Sequence, residues 1–112
     1  MRADAVKGHL DSILLASLEG KPQHGYAIIE AVKAGSRASF DLPTGTLYPA
    51  LHRLERAGLV RSKWSMVSGR RRRTYELTER GRRKLGEERQ SWKHFSRAVS
   101  NLLGGAPTGA MQ

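Results

Sequence analysis

The 112-residue chain has no cysteine, which excludes disulfides, thiolate metal sites such as zinc fingers, and cysteine nucleophiles. It also lacks long apolar runs. No stretch approaches the roughly eighteen residues of a membrane span, and charged and polar residues interrupt the N-terminal apolar segment, so it does not read as a secretory signal. A soluble cytosolic protein is the expectation. Catalytic constellations are missing too. His9, His24, His52 and His94 are scattered, with no i, i+4 pair, no Glu-containing zinc motif and no glycine-rich phosphate loop after a strand. These absences argue against an enzyme and against a cofactor; a metal shared by histidines of two subunits stays open. Negative charge is scarce as well: ten Asp and Glu face twenty Lys and Arg, leaving a net charge of +10. The excess is concentrated where Arg70, Arg71, Arg72 and Arg73 adjoin, and a polyanion is the natural partner. No basic segment has bulky apolar residues opposite, so nucleic acid is favoured over a lipid surface.

The length suits one compact domain with a modest core. Over residues 5–18 Leu10, Ile13, Leu14 and Leu18 recur at helical spacing, and Glu19-Gly20-Lys21-Pro22 supplies a stop. His24-Gly25-Tyr26 opens a second helix with Tyr26, Ile29 and Val32 on one face and Ile28 beside it, ending near Gly35-Ser36. After the link Phe40-Asp41-Leu42-Pro43, residues 44–60 predict a third helix. Its buried stripe is Leu47, Leu51 and Leu54, whereas Gly45, Pro49, His52, Arg53 and Arg56 fall on or near the opposite side. Proline is harmless only in a first turn, which makes Thr46 the expected N-cap and Thr44 the alternative; Gly58 supplies the stop. Two helices joined by a short turn, the second polar outward, form a helix-turn-helix candidate, although an ordinary core helix with a solvated basic face fits the same stripe.

Beyond Gly58 the period changes to alternation. Val60, Ser62, Trp64 and Met66 share one strand face, Arg61, Lys63, Ser65 and Val67 the other. Ser68-Gly69 turns the chain, and Arg71, Arg73, Tyr75 and Leu77 alternate with Arg70, Arg72, Thr74 and Glu76 on the returning strand. Parity directs Arg71 and Arg73 to the inner face and Arg70 and Arg72 outward. Four like charges near a hairpin tip add nothing to a core, so an anionic partner explains them better than solvation alone. Thr78 caps a last helix to about residue 103, in which Leu85, Trp92, Phe95, Val99 and Leu102 form a narrow seam suited to pairing with a second copy. Residues 104–112 are expected to be disordered.

In this order the motifs Gly8-x-Leu10, His24-Gly25-Tyr26, Thr46-Leu47-Tyr48-Pro49-x-Leu51-x-Arg53-Leu54-Glu55, Gly69-Arg70-x-Arg72, Tyr75, Leu77-Thr78 and Gly81 resemble the PadR family of bacterial transcriptional regulators, short-chain type. Thr74 departs from the tyrosine usual in that family beside the one retained as Tyr75. The resemblance implies a mainly α fold with a β-hairpin: a winged helix-turn-helix over residues 1–78, a dimerisation helix over 79–103 and a tail over 104–112. It also implies a cytoplasmic, nucleoid-associated homodimer that binds double-stranded operator DNA through paired recognition helices and wings, usually a repressor released by a small-molecule or stress signal.

Residues near the start of a groove-bound helix reach base edges or phosphates, and Thr44, Thr46, Tyr48 and His52 are the candidates. Tyr48 has an alternative in packing against the second helix, and His52 in simple solvation. Arg53 and Arg56 suit phosphate contact, or an intrahelix pair with Glu55. On the wing Arg70 and Arg72 are the expected contacts, at phosphates or in a narrow minor groove. Trp92 either fills the seam or, as in some relatives of the family, stacks on a planar aromatic effector, with Phe95 and with Leu10 or Ile13. The rival function is a basic RNA-binding or architectural protein, which needs neither seam nor operator.

Overall fold

The computed structural model describes residues 7–104. A single 3-10 turn, Lys7–His9, leads into α1, Leu10–Ser17; then come β1, Gln23–His24, α2, Gly25–Gly35, and α3, Thr44–Arg56. The hairpin strands β2, Val60–Val67, and β3, Arg70–Leu77, succeed them, and α4, Glu79–Leu103, completes the chain. The expected extension of the first helix to residue 5 and all but Gly104 of the expected disordered tail lie outside the described residues. This is the mainly α winged helix that the order of motifs predicts.

The core is built from one side of each helix and the base of the sheet. Leu14, Leu15 and Leu18 of the α1 segment meet Ile28 and Val32 of α2, Leu47, Ala50, Leu51 and Leu54 of α3, and Val60, Tyr75, Leu77 and Leu85. Leu15, absent from the predicted stripe, is fully buried, whereas Leu10 and Ile13 sit at the rim of the core. In α2 the inward residues are Gly25, Ile28 and Val32, and Tyr26 is 61% exposed, which corrects the predicted face. The face is rotated because Gly25 has to lie under Tyr48 of α3: a side-chain carbon there would overlap the Tyr48 hydroxyl.

α3 begins earlier than expected, and neither Thr46 nor Thr44 is its N-cap. That position is Pro43, in an extended conformation, whose carbonyl accepts from the N–H groups of Thr46 and Leu47, both at 3.0 Å. Pro49 therefore sits inside the helix, where it costs about 3 kcal/mol. Its missing bond falls to the carbonyl of solvent-exposed Gly45, where water can replace it, and four buried residues on the other side, three of them leucines worth roughly 1.5–3 kcal/mol each, outweigh the cost. At the far end Gly58, at φ +78°, ends the helix as predicted, with the Leu59 N–H returning to the Leu54 carbonyl.

The hairpin turns on Ser68 and Gly69, both at positive φ, the conformation that a two-residue connection requires. Pairing runs from Val60 opposite Leu77 to Val67 opposite Arg70. The sheet has a third strand: β1 pairs antiparallel with the other edge of β3, placing Gln23 opposite Tyr75 and His24 opposite Thr74. Two residues carry too little periodicity to announce a strand; β1 exists because β3 presents an open edge. Thr74 is buried there, receiving a hydrogen bond from Ser65 and donating to the Lys63 carbonyl.

Thr78 joins sheet to helix. Its hydroxyl accepts from the Gly81 N–H at 3.0 Å and donates to the Gly58 carbonyl at 2.6 Å, so the predicted cap holds both the start of α4 and the end of α3. Leu85 is only 3% exposed, closed into the core of its own chain, and this corrects its assignment to an intermolecular seam. Beyond it Glu88, Arg89 and Trp92 of α4 still meet Ser12, Glu19 and His9, and the described chain measures 53 × 27 × 23 Å. Trp92, Phe95 and Leu102 of the seam are exposed on the second half of α4, joined by Leu103, with Val99 half-buried.

Candidate nucleic-acid interface

α3 turns Gly45, Pro49, His52 and Arg56 to solvent in one row at i, i+4, i+7 and i+11, opposite its leucines. Thr44 is exposed beside this row, and Thr46 is half-buried at its edge. With no side-chain cap, the N–H groups of Thr44 and Gly45 stay outside the helical ladder, at the positive end of the helix dipole. That arrangement suits an anion. Tyr48 is 37% exposed: its ring packs over Gly25, the structural alternative to base contact, and its edge still reaches the surface.

Arg53 does not join this row. Its guanidinium lies 2.5 Å from the Asp11 carboxylate of α1, so its partner within the chain is Asp11 and not Glu55. Glu55 instead accepts from the Ser62 hydroxyl of β2 at 2.7 Å, which ties the recognition-helix candidate to the wing. The cause is tertiary: α1 packs across α3 and brings Asp11 within reach.

All four wing arginines, Arg70, Arg71, Arg72 and Arg73, lack a carboxylate partner among the described residues, while Arg53, Arg61, Arg82 and Arg89 each have one. Arg70 is exposed at the turn. Arg72 is half-buried, 5.9 Å from the ring of Tyr26 on α2, so it lies at the junction of wing and helix rather than fully outward. Arg71 and Arg73 are not turned inward as their parity suggested. Their strand face is the inner one only at the base, where Val60, Tyr75 and Leu77 are buried; toward the tip the hairpin outruns the core, and both arginines are exposed over Trp64. Sequence reasoning missed Tyr26 and Trp64 at this surface. The register set by Ser68-Gly69 is the signal that places Trp64 on the face of Arg71 and Arg73.

His24 sits between these parts with its Nδ1 buried and unpartnered. Burial, together with the neighbouring positive charge of Arg72, holds its pKa below the ordinary histidine value. On α4 Trp92 meets His9 edge-on at 5.4 Å between centroids and Phe95 at 6.0 Å. His9 is a neighbour the sequence did not suggest; Leu10 and Ile13 remain at the core rim. Among the described residues no three His, Asp or Glu side chains gather as a metal site, and no helix is long and apolar enough to cross a membrane.

Residues 14–87 match the model of the transcriptional regulator PadR-like family. A transcriptional regulator of Mycobacterium tuberculosis is 46% identical over 70 residues, 62% of this chain and 63% of that protein. Among solved structures, a PadR family transcription regulator from Clostridium difficile superposes with a TM-score of 0.76 at 34% identity, covering 86% of this chain and 99% of the other. A PadR-like transcriptional regulator from Bacillus cereus reaches a TM-score of 0.80 at 28% identity, over 93% of this chain and all of its own. These relatives are regulators rather than enzymes. With the match spanning the helix-turn-helix, the wing and the start of the terminal helix, the chain belongs to the PadR-like family of transcriptional regulators.

Proposed function

We propose that this regulator acts in the bacterial cytoplasm, at the nucleoid, as a homodimer that binds a specific operator duplex as a repressor and leaves it on a small-molecule or stress signal. One observation carries the reading: four adjacent arginines without carboxylate partners among the described residues sit on a hairpin tied to a helix whose N-terminal row is exposed and uncapped. Thr44, Thr46, Tyr48 and His52 supply contacts from the helix start, with Arg56 further along the same row, and Arg70 and Arg72 supply phosphate or minor-groove contacts from the wing. Arg53 ranks below them because Asp11 already neutralises it. The exposed residues Trp92, Phe95 and Leu102, with Val99, form the dimer seam; a planar aromatic effector would stack on Trp92 beside Phe95, near the Leu10 and Ile13 rim.

Selection from a random duplex pool should return a palindromic site. That site should bind about a thousandfold or more tighter than random DNA at fixed salt, a ratio that charge attraction alone does not produce. Equal affinity for random DNA or for RNA would replace this reading with that of a basic architectural or RNA-binding protein. For the effector, quenching of tryptophan fluorescence by planar aromatic compounds should disappear in Trp92→Phe; because Trp64 also emits, quenching that survives would remove Trp92 from the site.

A further inference from the structure

Of the four wing arginines, two share a single aromatic ring. The guanidinium carbon of Arg71 lies 4.7 Å from the centroid of the Trp64 indole and that of Arg73 lies 5.5 Å away, although the indole is 53% exposed and belongs to no core. Strand register explains the geometry: Trp64 is directly opposite Arg73 and one alternation from the Met66–Arg71 pair, so all four side chains stand on one face. Arg73 is fixed a second time. Its Nε–H donates to the Ser62 hydroxyl at 2.9 Å, and that hydroxyl donates to Glu55 of α3 at 2.7 Å. A continuous chain of contacts thus runs from α3 through Ser62 and Arg73 to Trp64 and Arg71.

Trp64 stands where the hairpin has outrun the core, and the cation–π partners of its ring there are these two arginines. A guanidinium lying over an indole gives its face to the ring and keeps its N–H edges free, so stacking holds the donors in place without consuming them. It also removes part of the rotamer entropy that a long side chain loses when it binds an anion.

We propose that Trp64 is a positioning residue of the wing: it holds Arg71 and Arg73 as a second, preorganised cationic row, aimed at the phosphates of bound DNA on the side of the hairpin away from Arg72. The inference rests on the DNA-binding reading above. Arg71 and Arg73 touch the DNA in this scheme; Trp64 acts through them.

The experiment measures binding of the full chain to its selected duplex, and to random duplex, by fluorescence anisotropy across a salt series. Trp64→Ala should weaken binding about tenfold, the cost of ordering two arginine side chains that the ring no longer holds, with an unchanged salt slope because both charges remain and a melting temperature lowered by no more than a few degrees through the lost cross-strand contacts. Trp64→Phe and Trp64→Tyr, which keep an aromatic face, should restore binding to within about threefold of wild type. The Arg71→Ala/Arg73→Ala variant should flatten the slope by about one for each phosphate that the protein no longer neutralises, and in that background Trp64→Ala should have no further effect. Unchanged affinity in Trp64→Ala, or the same loss of affinity whether or not the arginines are present, overturns the positioning role while leaving DNA binding intact. Failure of the wild-type chain to prefer any selected duplex overturns the DNA reading and this proposal with it.

Discussion

Individual glycines decide how closely the elements approach. At Gly81 a side-chain carbon would overlap the Leu59 carbonyl oxygen, a backbone atom that cannot swing aside, so α4 starts against the chain leading into β2 only because residue 81 has no side chain. Gly86, five residues on and exposed, has nothing within 4 Å of the same position. The two should respond oppositely to one substitution. Gly81→Ala is expected to destabilise by about 1–3 kcal/mol or more through overpacking, and Gly86→Ala to stabilise by up to about 1 kcal/mol through helix propensity. Thermal and urea unfolding of both variants checks this, and equal effects would show that helix propensity alone governs the segment. Neither glycine's role is legible in composition. Gly81 is visible in the sequence only as part of a motif shared with the family, and the clash that requires it appears when the chain between Gly58 and Thr78 folds back.

At the scale of elements, periodicity identifies the right kind of structure and errs in how elements face one another. The 3.6-residue and two-residue repeats arise from side-chain burial along a single segment, so α3, the hairpin and the long α4 are all legible. Facing depends on the neighbour. Tyr26 shares a period with Ile29 and Val32 and so reads as core, yet α2 turns Gly25 inward to accommodate Tyr48. Arg53 makes the same point: the carboxylate nearest it in sequence is Glu55, which the helix turns to another side, and its partner in space is Asp11. The wing supplies a test at this level. Replacing Arg70 and Arg72 together with alanine should weaken binding across all duplex sequences and flatten the slope of log affinity against log salt by about one per phosphate contact. A slope identical to wild type would take that row of the hairpin out of the interface.

For the whole molecule the question is which apolar surface is used within the chain and which is left over. α4 carries one continuous seam in sequence, but the fold divides it: Leu85 closes the core, while Trp92, Phe95, Leu102 and Leu103 remain exposed on the second half of the helix. In the homodimer proposed above, these exposed residues would pair with the same helix of a second copy, which offers a matching seam. Substitutions on either side of this division should separate two kinds of stability. Leu102→Glu is expected to halve the mass in sedimentation equilibrium and to remove the concentration dependence of the melting temperature, since only a dimer links stability to concentration. Leu85→Ala should cost about 2–5 kcal/mol at every concentration and leave association unchanged. A dimer that survives Leu102→Glu would place the interface elsewhere.

By itself the sequence determined the features that local order and overall charge dictate. Those are the succession of helices and hairpin, the stops at Gly58 and Ser68-Gly69, the Thr78 cap, the excess of positive charge and, through motifs, the family. Tertiary structure alone decided which charges are free, which faces are inward and where the seam divides. The physical reason is range: helical and strand periods are written in neighbours a few residues apart, whereas Asp11 and Arg53, or Gly25 and Tyr48, meet only after the chain has folded and packing has chosen among partners that sequence leaves equivalent.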